Sequence, residues 1–451
     1  MHKIYLSLVL TCFSYAQSVN FDKILDLTIK NNKDLKQQQL NIDSSKLDIK
    51  TIDAMSYGKL TLSEEVSRTN HSGYVFNSKL SSREASFRDF GFSQVGNMSN
   101  FDIQPTDLNY PDARNNFNTK LTYDIPLFTG FKLSNQKDIL KLQEQANSIK
   151  YNLDVKELEF EVLKAYNSAV VAKDFVKALE KAKESVLFMK NGAIAFHKEG
   201  LVTKIDVNEA KVYESNINSQ LLEAKNNYQL ALAYLGFLSS DDSITDVENL
   251  ENIYFKFPNE KELYEQALKN RDEVKMQDIQ VNANKKNIEI AKASYYPSVY
   301  SRLEYGYNDN KLTIDNDKDY YMAMVGITLT LFDNTRNIEK QKSKIEYAKA
   351  TLNQEKLKDA IKLELKKAVL NLETKEKILL EKMEAKNLAF DILEQAKLQY
   401  KNQLISMTTL LQQEANFRKN EALLIQARYE KSIALASLNL VLGKNIKEEK
   451  N

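Results

Sequence analysis

The chain has 451 residues, of which 43% are apolar and 28% charged, and its 63 Lys and Arg residues nearly balance its 62 Asp and Glu residues. A net charge this close to zero argues against a protein that binds nucleic acid. Only 11 Gly and 5 Pro interrupt the chain. This shortage disfavours a loop-rich α/β enzyme and predicts long, uninterrupted helices.

The chain begins with the pattern of a secretory signal. Lys3 precedes an apolar stretch from Ile4 to Phe13, and Ser14-Tyr15-Ala16 has the form of a cleavage site. We therefore expect residues 1–16 to be removed from the mature protein.

The only cysteine, Cys12, lies inside this signal. The mature chain is therefore expected to contain no disulfide and no cysteine-ligated metal. The alternative is a lipid-modified Cys12, but Thr11 and Phe13 are unfavourable neighbours for that modification.

The sequence indicates an internal duplication. Ile29–Lys36 resembles Leu268–Lys275 at a shift of 239 residues, and Leu127-Phe128 resembles Leu331-Phe332 at a shift of 204. Because the second shift is smaller, the first copy carries about 35 extra residues between these two segments. Gly and Pro crowd together between Arg68 and Asn116, so we expect the extra residues to form a long loop there.

Apolar residues recur with the 3-4 spacing of packed helices from Val155 to Leu179 and again from Val207 to Leu235, on either side of Gly200. This pattern predicts a helical hairpin. Its first helix, from about Leu133 to His197, would span on the order of 100 Å at about 1.5 Å per residue, which no compact globular domain requires.

Four segments alternate apolar and polar residues instead. The clearest run from Phe117 to Leu127 and from Tyr321 to Leu331, and weaker ones cover Leu60 to Val66 and Val299 to Tyr307. This length and alternation are typical of transmembrane β-strands, with one face towards lipid and the other towards a polar lumen. An ordinary half-buried antiparallel sheet is the alternative.

Four strands cannot close a barrel, and an open edge in lipid leaves backbone groups unpaired. Membrane-spanning strands would therefore require an oligomer with eight, twelve or sixteen strands in total. Aromatic residues at the strand ends would lie at the membrane interfaces, namely Phe128, Phe131, Tyr295, Tyr296, Tyr320 and Phe332.

No catalytic motif is visible in the sequence. His71 and His197 are the histidines that remain after cleavage, and they do not have metal-ligand spacing. We therefore expect no enzymatic activity, no cofactor and no metal site.

The order of helices and strands resembles that of the TolC family of outer-membrane efflux proteins over nearly the whole mature chain. The resemblance is carried by the duplicated helix-strand-strand-helix order and by three short motifs: Tyr295-Tyr296-Pro297 entering a strand, Ile125-Pro126-Leu127-Phe128 followed by Gly130 leaving one, and the hairpin from Gly200 to Ala210.

The resemblance implies a mainly α fold with a membrane β-barrel. Three copies would form a twelve-stranded barrel in the outer membrane, continued by a long α-helical barrel in the periplasm. The homotrimer would be a passive exit duct that contacts outer-membrane lipid and docks onto a periplasmic adaptor and an inner-membrane pump.

The expected organisation follows from the duplication and the resemblance together. Its parts are a signal peptide (1–16), a first repeat (17–238) with strands at about 59–69 and 117–128 and a helical hairpin at about 131–238, an inter-repeat equatorial segment (239–260), a second repeat (261–442) with strands at about 298–308 and 320–332 and a hairpin at about 335–442, and a C-terminal tail (443–451).

The resemblance also implies site residues at the two hairpin tips. The second tip departs from the family pattern, because Gln403 replaces a turn glycine and Thr409 and Gln412 replace acidic residues. The expected adaptor-docking residues are Gly200, Leu201, Val202, Thr203, Leu404, Ile405 and Ser406. The expected pore constriction comprises Asp206, Thr409 and Gln412, although a solvated loop carboxylate is the alternative for Asp206.

Within the expected long loop, Phe87, Phe90 and Phe92 are unusually apolar for solvent-exposed positions. One hypothesis is an extracellular lid that folds over the barrel mouth. The other is packing against the loop of a neighbouring subunit.

A second hypothesis for the whole chain is a periplasmic coiled-coil structural or adaptor protein whose strands form a small soluble sheet. The sequence does not identify a substrate, because drugs, metal ions and secreted proteins would all be selected by the pump.

Overall fold

The computed structural model describes residues 18–96, 102–250 and 259–446. The expected signal peptide lies outside these residues, as do part of the inter-repeat segment and the end of the tail. The chain divides into two compact units. The strand unit comprises Asp43–Gln145 and Ile279–Thr351, and the helical unit comprises the remainder.

The elements of the first half begin close to the N-terminal end of the described chain. They are β1 (Ser18–Val19), α1 (Phe21–Asn31), α2 (Lys33–Ser56), β2 (Lys59–Thr69), α3 (Ser72–Ser81), α4 (Thr106–Asn109), β3 (Arg114–Thr129), α5 (Lys132–Lys198) and α6 (Lys204–Ser239).

The second half repeats this order without counterparts of α3 and α4. Its elements are β4 (Asp246–Val247), α7 (Glu260–Asn270), α8 (Asp272–Ala293), β5 (Ser298–Asp309), β6 (Asp319–Thr328), α9 (Thr335–Lys401) and α10 (Met407–Val441).

The two halves match closely, which confirms the duplication. Helices α5 and α9 each contain 67 residues, and α1 and α7 each contain 11. Even the caps correspond, because the side chains of Asn20 and Asn259 accept hydrogen bonds from Lys23 N and Glu262 N at 3.0 and 2.9 Å.

The core of the helical unit is built around α1. Phe21, Ile24 and Leu25 are buried against residues of α5, and the ring of Phe21 meets that of Tyr166 edge to face at a centroid distance of 5.8 Å. Leu438 of α10 belongs to the same cluster. Apolar side chains at the 3-4 spacing therefore join both hairpins to α1 in one core.

The four expected strands are present in one antiparallel sheet of order β2-β3-β5-β6. The sheet explains why β6 ends earlier than the alternation predicts. Its last pair joins Ser298 to Thr328, and Ser298 is the first residue of β5 because Pro297 precedes it and offers no N–H group. Residues 329–332 therefore have no partner strand and lie beyond β6.

The expected long loop lies between β2 and β3 and covers residues 70–113, against 310–318 for the corresponding connection between β5 and β6. It is not a structureless loop, since it contains α3 and α4. Three of the four large apolar residues of α3 are adjacent, at Tyr74, Val75 and Phe76, instead of recurring every three or four positions, which is why the sequence did not reveal this helix.

Within the described residues, no helix is both long enough and apolar enough to span a membrane.

Candidate functional site

The first hairpin tip is a glycine-closed turn. Gly200 has a left-handed φ of +70°. Its N–H donates to His197 O at 3.0 Å, and Leu201 N donates to Phe196 O at 2.9 Å. These two bonds form a Schellman motif, which ends α5 and reverses the chain.

The second tip has the same turn without glycine. Gln403 adopts a φ of +60°. Its N–H donates to Tyr400 O at 2.9 Å, and Leu404 N donates to Gln399 O at 2.9 Å. The geometry of the turn is therefore preserved, with a non-glycine residue held in the left-handed region.

Asp206 caps the helix that leaves the first tip. Its Oδ2 atom accepts hydrogen bonds from the backbone N and the hydroxyl of Thr203, at 3.0 and 2.7 Å. These bonds, the hydroxyl bond foremost, lower the pKa of Asp206 below its ordinary value. This carboxylate is thus a half-buried capping group in the described chain rather than a freely solvated loop residue.

Thr409 occupies the corresponding position at the second tip. Its N–H donates to Ser406 Oγ at 3.2 Å, so Ser406 caps α10. Gln412 is exposed on the next turn of α10. The side chains of Thr408 and Glu209 also join the two tips, because Thr408 Oγ1 donates to Glu209 Oε2 at 2.8 Å.

The two tips rest on a shared apolar core. Met189 and Val207 of the first hairpin pack in one cluster with Leu393 and Met407 of the second. Tyr400 is 7% exposed in this cluster, and burial, helped by the negative charge of Asp206, raises its pKa to about 12. The core fixes the hairpins to each other close to their turns.

The expected docking residues lie at the ends of these hairpins. Leu201 and Leu404 are 49% and 72% exposed, so both side chains are accessible in one copy of the chain. Tyr400 and Glu209 were not among the residues expected at the tips. Tyr400 continues the 3-4 spacing of Leu393, and that signal could have placed it in the core.

The sheet of the strand unit has an apolar face, defined by two rows of cross-strand neighbours. The rows are Leu60–Tyr123–Leu303–Ala323 and Leu62–Leu121–Tyr305–Tyr321.

The opposite, polar face carries charges that pair across strands. Arg302 Nε donates to Asp124 Oδ1 at 2.6 Å. The hydroxyl of Tyr320 donates to Glu304 Oε1 at 2.9 Å and approaches Asn118 Oδ1 at 3.0 Å. One face therefore suits lipid and the other suits water.

Arg336 organises the junction between β6 and α9. Its guanidinium donates to the carbonyl oxygens of Ser294, Thr330 and Leu331 at 3.1, 2.8 and 3.3 Å. It also stacks on Tyr295, 4.9 Å from the ring centroid. A single side chain thereby satisfies backbone groups that have no strand partner.

Aromatic rings gather near this junction. Phe131 lies between Phe128 and Tyr296, at centroid distances of 5.1 and 5.5 Å.

Among the described residues, no group of acidic, histidine or cysteine side chains could hold a metal ion.

The family model described as outer membrane efflux protein matches residues 24–239 and 263–444. The chain belongs to this family. The match in two segments agrees with the duplicated fold.

Solved structures show the same fold at low sequence identity. A membrane protein from Pseudomonas aeruginosa aligns with 96% of this chain and 92% of its own, at 16% identity and a TM-score of 0.76. The Campylobacter jejuni CmeC outer membrane channel aligns with 94% of this chain and 85% of its own, at 16% identity and a TM-score of 0.73. The outer membrane protein VceC from Vibrio cholerae aligns with 94% of this chain and 96% of its own, at 15% identity and a TM-score of 0.74. No individual curated protein sequence matches.

As an outer membrane efflux protein, the chain is a TolC-type channel of the outer membrane that extends into the periplasm. The expectation of a non-enzymatic transport protein is confirmed by the family. The hypothesis of a soluble periplasmic coiled-coil protein is wrong, because its repeats and strands are those of this channel family.

Proposed function

We propose that three copies of this efflux protein form a passive exit duct, and that its hairpin tips dock onto a periplasmic adaptor connected to an inner-membrane pump. The observation that carries the docking proposal is the pair of matched tips. Both end in the same hydrogen-bonded turn, and both present an exposed leucine, Leu201 or Leu404. An exposed apolar side chain on a rigid turn is suited to protein recognition.

The sheet supports oligomerisation. Within it, β2 pairs with β3 alone and β6 pairs with β5 alone, so both edges are open. An open edge is unfavourable in lipid, and pairing β6 of one copy with β2 of the next removes it. Three copies then give twelve strands, and the TolC resemblance supports that number over two or four.

The pore constriction is proposed at the tips. The second tip carries uncharged Thr409 and Gln412 where the family would have acidic residues. Three copies of these side chains form polar but neutral rings, which bind cations weakly compared with carboxylate rings. Asp206 is the acidic candidate that remains, and it is engaged in a helix cap.

The docking proposal is tested by photo-crosslinking in cells of the source organism. A photoreactive amino acid is placed at Leu201, at Leu404, or at Tyr110 as a control. Tyr110 is 82% exposed but lies between β2 and β3, away from both tips in the sequence. We expect probes at both tips to capture one periplasmic protein, identified by mass spectrometry as an adaptor with a helical hairpin.

The Tyr110 probe should not capture that protein. Absence of the adaptor at both tips, or its equal capture at Tyr110, would contradict docking through the hairpins.

The trimer is tested separately by electrophoresis of the outer-membrane fraction. A band that changes from trimer to monomer mobility on heating is expected, and release of the protein by osmotic shock would refute membrane insertion.

A further inference from the structure

Helix α3, which has no counterpart in the second repeat, lies against the polar face of the sheet. Ser78 Oγ donates to Asn116 Oδ1 at 2.8 Å. Arg114 donates to Ser78 Oγ at 3.2 Å and to Ser82 Oγ at 2.8 Å. Asn116 and Arg114 alternate with Phe117 along β3, so they share a face with Asn118 and not with Leu121.

This contact is at the end of the sheet where β3 begins, opposite the end at which β3 leads into α5. Arg114 begins β3 and pairs with Thr69, the last residue of β2, whereas α5 follows the other end of β3. Val75, Ser78 and Ser82 of this region are buried. Helix α3 is therefore a packed part of the strand unit at this end.

A ladder of alternating charges fixes the segment after α3 to the connection between β5 and β6. Arg114 pairs with Glu84 at 2.5 Å, Glu84 pairs in turn with Lys318, and Lys318 pairs with Asp309 at 2.6 Å. Asp309 is 3% exposed. Burial raises the pKa of Glu84, but hydrogen bonds from Lys318 and Arg114 outweigh it and keep the pKa below its ordinary value.

Arg83 adds a second attachment beside the ladder. Its guanidinium donates to Asp317 O and to Asp319 O, both at 2.6 Å. The residue itself has a φ of +56°, a conformation that disfavours a side chain of this kind. The backbone thus accepts strain at the residue that makes the two contacts.

One of the three phenylalanines singled out in the sequence packs against α3, and the other two contact each other. Phe90 meets Phe76 of α3 edge to face at a centroid distance of 4.5 Å, and Phe87 meets Phe92 at 5.4 Å. Phe90 therefore packs against α3, which touches the sheet, whereas Phe87 and Phe92 remain 78% and 57% exposed.

We propose that residues 72–92 are a lid inside the outer mouth of the duct, held shut by the Arg114–Glu84–Lys318–Asp309 ladder and by Arg83. This inference rests on the proposed duct, because the polar face is the luminal face only in that arrangement. A lid on the luminal side narrows the exit. Each carboxylate in the ladder has cationic partners, so breaking one link leaves a partly buried charge unpaired.

The test measures access to the lumen from outside the cell. Thr122→Cys places one thiol on the polar face in a Cys12→Ser background, and a membrane-impermeant maleimide is added to intact cells. We expect slow labelling with the native lid. Two variants remove charges from the two sides of the ladder. One is the double substitution Arg83→Gln and Glu84→Gln, and the other is the single substitution Lys318→Gln. Each should label about tenfold faster, since losing a charge-assisted hydrogen bond shifts an equilibrium by about that factor.

Arg88→Gln is the matched control, because Arg88 is exposed in the same segment and forms no ion pair with another described residue. It should label at the native rate. The lid is refuted if both ladder variants form the heat-modifiable trimer and label no faster than this control.

The duct proposal fails in a different way. In that case Thr122→Cys stays unreactive from outside even when a short Gly-Ser linker replaces residues 72–92, while Leu121→Cys reacts. If the linker variant does not fold, the two ladder variants still decide the question of the lid.

Discussion

Gln403 closes the second turn at a position where glycine is the usual residue. Gly200 and Gln403 close equivalent turns with the same two backbone bonds, yet only glycine adopts a positive φ without a steric penalty. Nothing lies within 4 Å of the position where a Cβ atom on Gly200 would be. The disadvantage of a side chain at such a turn is therefore conformational rather than a matter of space.

We predict that Gln403→Gly stabilises the protein by about 0.5 to 1 kcal/mol, because it relieves left-handed strain that exceeds the extra entropy of glycine in the unfolded chain. The measurement is the midpoint of guanidinium unfolding in detergent. Gly200→Gln is the matched control and should shift the midpoint downwards. An unchanged or lower midpoint for Gln403→Gly would show that the Gln403 side chain makes a compensating contribution.

The sequence identified the second tip but not its conformation. Gln403 follows Gly200 by 203 residues, within one residue of the shift of 204 between the two Leu-Phe pairs, so the position of the turn could be predicted. The sequence showed only that Gln403 replaces a turn glycine, and the helical hairpin imposes the same reversal on either residue. Packing of Tyr400 and Met407 into the core outweighs a local preference of about 1 kcal/mol.

At the level of elements, β5 and β6 are joined by two tyrosine-glycine pairs. Tyr300 pairs with Gly326, and Gly306 pairs with Tyr320. A Cβ atom on Gly326 would lie 2.4 Å from the ring of Tyr300, and one on Gly306 would lie 2.9 Å from that of Tyr320. Each ring therefore covers the glycine opposite it, which replaces the packing that a glycine in a strand lacks.

We predict that Gly326→Ala destabilises the folded barrel by about 1 to 3 kcal/mol, because the new methyl group must displace the Tyr300 ring. The measurement is the temperature at which the trimer band is lost in electrophoresis. Met324→Ala, two residues away on the same face, is the control and should have a smaller effect. In the double variant Tyr300→Ala and Gly326→Ala, the Gly326→Ala substitution should destabilise the trimer less than it does alone. If the destabilising effects of the two substitutions simply add, the ring of Tyr300 does not cover Gly326 in the way described.

Element boundaries were predictable where they depend on local pattern. The alternation located all four strands, and β2 occupies the expected residues. The end of β6 was not predictable, because it depends on where its partner β5 begins. Helix α3 was missed for a similar reason, since Ser78 and Ser82 are buried by hydrogen bonds to Arg114 and Asn116 and not by apolar packing.

At the level of the whole molecule, the position of the sheet in the membrane depends on which face meets lipid. The alternation left open whether the sheet was soluble, and the cross-strand register now shows that its apolar residues line up in rows across all four strands. The strand pattern predicted an oligomer but left its number of copies open, because the contacts between copies would be made by edges that a single copy leaves unpaired.

Adjacent residues at the middle of β3 test this orientation. Leu121 lies on the apolar face, and Thr122 lies on the polar face. Leu121→Lys should cost about 2 to 4 kcal/mol, the range for a lysine facing lipid at the bilayer midplane. Thr122→Lys should be tolerated, because its ammonium group would face the water-filled lumen. The measurement is the amount of heat-modifiable trimer in the outer-membrane fraction, relative to total protein.

We expect this amount to fall sharply for Leu121→Lys and to stay near the native level for Thr122→Lys. The same charge is introduced one residue apart in the same strand, so differences in strand propensity and in net charge largely cancel. Equal loss of trimer in both variants would contradict a two-faced wall, and loss for Thr122→Lys alone would require the faces to be exchanged. In that last case α3 would lie on the lipid side, and the lid would be refuted together with the orientation.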